Sequence, residues 1–350
     1  VLLYQLLHGS LTMATAMDRA AREPSDARHE WNRRYLGARA FLTSRLARFA
    51  AQRIPAPAGV AWTNRLFFLD LDGVFDSEQL GFPHTTTSGL ASLALLSAHG
   101  VSVVVHTGRS IEDVHSYCRD YALPGGVGEL GSVFLDAVAG REIPLVDEQD
   151  LEQLARCRDA LSRVPGIFVD PTYRYAVRAY RITHDRTVPP PPGLADTVIQ
   201  EAGLDRLRVS PSSVDVIVLA RGVDKGRGLV AARDYLRCRD HPVAAIGDSD
   251  RDVPMLQAAD LAFAPSGCSA GVRALSRDGR CRITAEPMQR GLLRAARDLA
   301  SLQLAEECPV VPAAAAPAAT PASNLIEALL TVAERPRLRR FLGALSWWGL

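Results

Sequence analysis

Two aspartates set two apart, Asp70 and Asp72, close the apolar run Leu66-Phe67-Phe68-Leu69, and Gly73 follows them. A short apolar run bounded by glycine reads as a buried strand of a parallel sheet. Side chains two apart on a strand point to the same side. Both carboxylates therefore stand together at the strand's carboxyl end, the edge where open α/β sheets bind ligands. A lone aspartate there more often caps the next loop; a second one at i+2, followed by glycine, weakens that reading. Three further stations fall at strand ends or just beyond: Thr107 in HTGRS, Lys225 in DKGRG, and Asp248 with Asp252 in GDSDRD. The inventory is chemically coherent. Three or four carboxylates would hold Mg²⁺, a hard ion that takes oxygen ligands. A hydroxyl and an ammonium would grip a dianionic phosphate. A remaining carboxylate could attack phosphorus and form an aspartyl-phosphate. A second one within reach could protonate the leaving alcohol and then activate water.

Each station has a plainer reading. Thr107 could cap a helix beginning near residue 110. Lysines are usually solvated, yet Lys225 is the only lysine in the sequence. A compact point charge kept among so many planar guanidinium forks points to a specific task. Asp248, Asp250 and Asp252 alternate as in a calcium loop, but lack the glycine and distal glutamate of an EF-hand. The four stations in this order leave the plain readings improbable together.

The elements around them must bring these stations to one edge. Helical patterns at 85–99 and 111–121 alternate with a buried strand at 101–105, and 126–145 reads as a hairpin. Strand, loop and helix in repetition mean a parallel sheet with right-handed crossovers. From 147 to 220 the order changes to αββαββ, with helices at 147–164 and 193–202 and strands at 167–170, 173–182, 207–210 and 214–220. That is an antiparallel sheet backed by helices, inserted in the first domain. The parallel pattern resumes with a helix at 225–237, strands at 243–250, 261–265 and 281–284, and helices at 253–259 and 288–302. The fold class is α/β: a Rossmann-like doubly wound sheet with an inserted α+β unit and helical extensions at both ends.

The extensions are read separately. Residues 1–27 are polar and irregular, with weak order expected. Over 28–54, Trp31, Tyr35, Leu42, Leu46 and Phe49 recur at helical spacing among seven arginines and one glutamate. Such a basic amphipathic helix docks on its own core or on a partner rather than on a membrane surface. IPAPAG (54–59) and the Ala/Pro tract 311–323 read as linkers, and 324–348 as a second basic amphipathic segment. A protein partner, or self-association, through these ends is the expectation.

The whole chain bounds the rest. With 350 residues there is room for two domains, and 47% hydrophobic with 23% charged residues is an ordinary soluble composition. A formal net charge of +1 gives no reason to expect nucleic acid. Six cysteines without CxxC pairs argue against zinc and disulfides and for a cytoplasmic setting. No apolar run approaches the roughly 20 residues of a membrane span. The opening VLLYQLLHGS lacks the basic region of a signal peptide, and the initial Val suggests an alternative start or a fragment.

DLDGV (70–74), HTGRS (106–110), DKGRGL (224–229) and GDSDRDVPML (247–256) resemble motifs I to IV of the haloacid-dehalogenase-like (HAD) superfamily. The inserted αββαββ unit resembles the type C2 cap of its Cof-like branch, which includes trehalose- and sucrose-phosphate phosphatases. The likeness covers about 64–303. It implies a core at 61–145 and 221–303, a cap at 146–220, an N-terminal extension at 1–60 and a tail at 304–350. It also implies that Asp70 is the nucleophile and a Mg²⁺ ligand. Asp72 would be the general acid/base, with its backbone carbonyl on the metal. Thr107, the Gly108 amide and Lys225 would hold the phosphoryl oxygens. Asp248 would bind the metal, and Asp252 would be a second acidic ligand or an outer partner, with Asp250 facing solvent. Val74-Phe75 replaces the Thr-Leu of many relatives, and Ser249 and Arg251 replace a frequent Gly and Asn. Arg174, Arg178 and Arg181 on the cap are candidate specificity residues, against the plainer reading of a solvated strand face. The expected function is Mg²⁺-dependent hydrolysis of a small phosphorylated metabolite, a sugar phosphate first of all. A sugar phosphomutase shares the chemistry, and a non-catalytic HAD-fold scaffold is the rival from another class.

Overall fold

In the computed structural model, which describes residues 2–22, 25–52, 60–78, 82–183 and 186–303, the apolar run before the aspartates forms β1 (Leu66–Leu69), buried throughout. It lies inside an eight-stranded sheet. The order is β13 (Arg282–Pro287), β12 (Leu261–Ser266), β11 (Val243–Ile246), β1, β2 (Ser102–His106), β3 (Gly125–Gly128), β4 (Val133–Asp136), β5 (Arg141–Pro144). Strands β13 to β3 pair in parallel, whereas β4 and β5 add an antiparallel edge.

Alternate residues of β1 serve two cores, as the pleat requires. Phe67 and Leu69 pack with α2 (Ser25–Ala51), α3 (Thr87–Ala98), α4 (Ile111–Tyr121) and α10 (Met288–Gln303). Leu66 and Phe68 pack on the opposite face with α7 (Lys225–Tyr235), α8 (Val253–Ala258) and α9 (Ala270–Arg277). Helices on both faces make the sheet doubly wound and direct the carboxyl ends of β1, β2 and β11 into one crevice.

The inserted unit contains α5 (Glu148–Ser162), β6 (Phe168–Val169), β7 (Val177–Thr183), β8 (Arg186–Val188), α6 (Leu194–Glu201), β9 (Leu207–Pro211) and β10 (Val216–Ala220). Its strands run antiparallel in the order β6-β7-β10-β9, with β8 paired to β7. Val177, Ala179, Val216 and Val218 pack under α5 and α6. Ile217 and Leu219, of opposite parity, join Tyr173, Ala176 and Leu130 in an apolar seam with the main body.

Three features differ from the sequence reading. Residues 173–176 are a turn, not the start of β7, and α9 and β8 are elements the pattern did not disclose. The largest correction is at the N-terminus, where residues read as irregular form a 21-residue helix, α1 (Leu2–Arg22). Its inner face is a seam of small residues, Gly9, Ala16 and Ala20, all buried. A Cβ on Gly9 would stand 2.8 Å from Leu42 of α2. With Leu6 and Met13, which pack against the main core, the three small residues complete a helical stripe of small and apolar residues that buries the helix by close approach. Leu42, Leu46 and Ala50 of α2 then enter the main core. Ser44 Oγ and Arg48 Nε donate to Asp120 of α4 at 2.6 and 2.9 Å. The hairpin also meets the inserted unit, where the His29 ring stands edge-on to Phe168 at 5.6 Å. The expected linkers at 54–59 and 311–323, and the segment 324–348, lie outside the described residues. No helix of the described residues is long and apolar enough to cross a membrane.

Candidate active site

Asp70 follows β1 directly, its N–H donating to the Ile246 carbonyl of β11 at 3.2 Å. Asp224 caps α7 by accepting the Arg227 N–H at 2.8 Å, which sets Lys225 in the first helical turn, facing inward. Lys225 Nζ donates to Asp70 Oδ1 at 2.6 Å and to Asp252 Oδ1 at 2.5 Å. The other oxygen of Asp252 accepts Ser249 Oγ at 2.6 Å and the N–H groups of Ser249 and Asp248 at 2.9 and 3.2 Å. Asp252 thus braces the loop that presents Asp248. Gly73, at φ +85°, passes so close to Asp248 that a Cβ would lie 2.3 Å from its Oδ2. Both the left-handed backbone and the space require glycine.

One ammonium does not neutralise this cluster. Burial, then the nearby Asp252, push the Asp70 carboxyl well above its usual range against the pull of Lys225. The same causes push Asp248 up to about 7. Burial opposes the charge on Lys225, but Asp252 and Asp70 outweigh it and raise its pKa. Asp70, Asp248 and Asp252 each offer a carboxylate oxygen within 4.8 Å of the others. Crowded hard donors short of positive charge fit a divalent cation such as Mg²⁺.

Asp72 is held apart from that cluster. Both its oxygens accept from Arg109, Oδ2 from Nε at 3.0 Å and Oδ1 from Nη2. Arg109 also donates to Tyr117 OH at 2.7 Å and pairs with Asp76 at 3.0 Å. Desolvation pushes the Asp72 carboxyl up, yet the Arg109 fork outweighs it and holds it at about 2 although half the side chain is open to solvent. Asp76, buried behind, is pushed up to about 6 by burial despite Arg109. Gly108 and Arg109 line the crevice. Thr107 is fully buried beneath them, its Oγ1 accepting the Arg109 N–H at 3.1 Å.

The inserted unit and the N-terminal hairpin close the crevice into a cavity of about 410 Å³, with Asp70, Asp72, Lys225 and Asp248 on its floor. Of the three cap arginines, Arg178 alone lines it, bonded to Asp215 at 2.7 Å and Asp170 at 3.0 Å. Arg174 pairs with Glu142 at 2.7 Å, and Arg181 donates to the Pro189 carbonyl at 3.1 Å. Asp250 is exposed, and accepts Ser269 Oγ at 2.6 Å and the Gly271 N–H at 3.1 Å at the start of α9.

Several residues of the site escaped the sequence reading. Arg109 was inside the HTGRS motif without a role, though an arginine three after the β2 terminus was a visible signal. Glu129, buried, accepts the N–H of Ile111 at 3.2 Å and those of Arg174 and Tyr175 at 3.0 and 2.7 Å, clasping the inserted unit to α4. Tyr173 OH adds a bond to the Gly108 carbonyl at 2.9 Å. Arg39 of α2 also lines the cavity; nothing local in the sequence announces that.

A family model described as haloacid dehalogenase-like hydrolase matches residues 196–276. The chain is 29% identical over 187 residues to a phosphoglycolate phosphatase of Methanopyrus kandleri, covering 52% of this chain and 76% of that protein. It is 25% identical over 217 residues to one of Methanoculleus marisnigri, covering 59% and 85%. In fold it is similar to a haloacid dehalogenase-like hydrolase from Bacteroides thetaiotaomicron, with a TM-score of 0.52, 13% identity, and coverage of 67% of this chain and 99% of that one.

Proposed function

We propose that the chain is a haloacid dehalogenase-like phosphatase and that it hydrolyses a small phosphomonoester through an aspartyl-phosphate on Asp70. The observation that carries this is the buried contact of the sole lysine with Asp70 and Asp252, beside Asp248, on the floor of a walled cavity. Asp70 attacks phosphorus and the bond to the leaving oxygen breaks, while Asp72 delivers a proton to that oxygen. Water then attacks the phosphorus, Asp72 takes its proton, and phosphate leaves Asp70 free. Thr107 and Gly108 hold the phosphoryl oxygens from the β2 side and Lys225 from the α7 side. Asp70, Asp248, the Asp72 carbonyl and, directly or through its neighbours, Asp252 would hold Mg²⁺, which neutralises developing phosphoryl charge when bound.

Asp72 must first acquire a proton, and its pairing with Arg109 opposes this. A phosphoryl dianion entering the cavity competes for the same guanidinium fork. Loosening that pair lets the Asp72 pKa rise towards the range of a working acid. The cavity suits a sugar phosphate, or a phosphorylated hydroxy acid of the kind named in the two curated relatives.

Phosphate release from a panel of both substrate classes and p-nitrophenyl phosphate, with Mg²⁺ and with EDTA, tests the reading. Release should require Mg²⁺ and vanish in Asp70→Asn. Folded wild-type protein that releases no phosphate from any of them would sink it, and activity only with a bisphosphate activator would show a mutase instead.

A further inference from the structure

The guanidinium groups around the cavity differ in what already holds them. Arg109 is tied to Asp72, Asp76 and Tyr117, and Arg178 to the buried Asp170 and Asp215. Arg251 donates to the Ser210 carbonyl at 2.6 Å and lies 3.7 Å from Asp215. Arg39, from the middle of α2, has a partner that is open to solvent. Among the described residues the carboxylate that pairs with it is Glu78, and the Glu78 side chain is 52% exposed. Stripping a partner from a buried ion pair is strongly unfavourable. An exposed carboxylate contributes little to its pair and gives way readily to another anion. Asp72 on Arg109 is equally exposed, but Arg109 keeps the buried Asp76. Among the described residues Arg39 is the cavity guanidinium with no buried carboxylate to hold it once its partner is exchanged.

Its place there is built. Over the next three turns of the same helix, Leu42, Leu46 and Ala50 are locked in the core, and Ser44 and Arg48 hold Asp120. The hairpin also rests on the inserted unit through His29. Arg39 thus enters the cavity from a third wall, on an element anchored to both other bodies. After Arg109 it is a charge that keeps Asp72 low, whereas the charges acting most on Asp70 and Asp248 are those of Asp252 and Lys225. Arg39 and Asp72 line the same cavity, and the leaving group is processed at Asp72 in the proposed function, so a charged leaving group meets the wall that carries Arg39.

We propose that Arg39 is a specificity residue that exchanges Glu78 for an anionic group on the substrate's alcohol portion, a carboxylate or a second phosphoryl group. The preferred substrates are then phosphomonoesters whose leaving group carries its own negative charge. This rests on the phosphatase reading. Planar guanidinium matches either anion bidentately, and Glu78 acts as a resident stand-in that keeps the site closed to neutral alcohols.

The test compares kcat/KM of the full-length protein for three probes. These are 2-phosphoglycolate (carboxylate), fructose 1,6-bisphosphate (second phosphoryl) and glucose 6-phosphate (neutral leaving group). Arg39→Gln should lower the preference for the charged probes over glucose 6-phosphate at least tenfold, mostly through KM, and Arg39→Lys should lower it less. Glu78→Gln should move that preference the opposite way, because it removes the competing carboxylate. If the Arg39–Glu78 pair merely steadies the hairpin, both substitutions shift all three probes together and in one direction, and the proposal falls. It falls equally if wild type favours glucose 6-phosphate. A wild-type enzyme inactive on every probe would defeat the phosphatase reading itself, a result distinguishable from either. The ratio of the two charged probes tells carboxylate from phosphoryl.

Discussion

The floor and the third wall of the cavity hold charge in opposite ways. On the floor, Lys225, Asp70 and Asp252 are all nearly inaccessible and share one proton-rich knot with Ser249. At the wall, Arg39 meets an exposed glutamate. Buried charges on the floor depend on one another, so removing one leaves an uncompensated partner in a dry setting. Charges at the wall have water as an alternative, so their geometry can be altered at little cost in stability. The chemistry is thus placed where substitution is severe, and discrimination where it is mild.

The largest effect that could break this contrast belongs to Asp70. Asp70→Asn should lower kcat by about 10⁴-fold or more if it is the nucleophile, since members of a catalytic unit cost nearly the whole acceleration when lost. Its stability should hold, because one of three crowded carboxylates has been neutralised. Urea denaturation beside the turnover assay checks both. Lys225→Met reverses the balance: two buried carboxylates lose their cation, and stability in metal-free buffer should fall by about 3–5 kcal/mol. An unchanged denaturation midpoint would mean that the floor is wetter and more tolerant than its geometry implies.

Glu129 tests the joint between the inserted unit and the main body. Burial pushes its carboxyl up to about 7 against the pull of its backbone donors. The folded protein therefore keeps a proton that the unfolded chain has lost between about pH 4.5 and 7. Stability from this group is full below that window and declines as pH rises through it, by up to roughly 3 kcal/mol. Asp76, pushed up to about 6, adds a decline of the same sign at slightly lower pH. Urea midpoints at pH 5 and pH 8 should differ less in Glu129→Gln than in wild type. That variant should also lose about 1–3 kcal/mol at pH 5, because an amide cannot accept from all three N–H groups.

How much of this was readable depended on how local each signal was. Asp70 and Asp72 announce themselves because two carboxylates and a glycine that must pass under Asp248 are written within four residues, although β1 ends at Leu69 and strand parity does not reach them. Lys225 was conspicuous as the one lysine, and a cap at Asp224 fixes its helix turn. The seam of α1 was present in the sequence as Leu6, Gly9, Met13, Ala16 and Ala20 at helical spacing, but three of the five are small and give the stripe little hydrophobic weight. Arg39 and Glu129 were beyond reach for another reason. Their partners lie across long sequence separations, and only the docking of α2 and of the 173–176 turn brings them to the cavity.

The cap arginines give the smallest and sharpest test, because the sequence grouped three residues that geometry separates. Arg178 and Arg181 lie three apart on β7, so the pleat turns them to opposite faces. Both could not have reached one cavity. Arg178 took the buried side, with Tyr180 on the same parity and two carboxylates to hold it. Arg174 precedes the strand, in the turn clasped by Glu129, and its head reaches Glu142 on the edge strand β5. Arg174→Ala and Arg181→Ala should therefore keep kcat/KM within about twofold, and Arg174→Ala should change stability by no more than about 1 kcal/mol. Arg178→Gln should cost about 3–5 kcal/mol, since the buried Asp170 would lose its cation and Asp215 would keep only Arg251 at 3.7 Å. A tenfold loss of kcat/KM in Arg174→Ala or Arg181→Ala, with stability intact, would show that the cap turns a different face to the substrate during turnover.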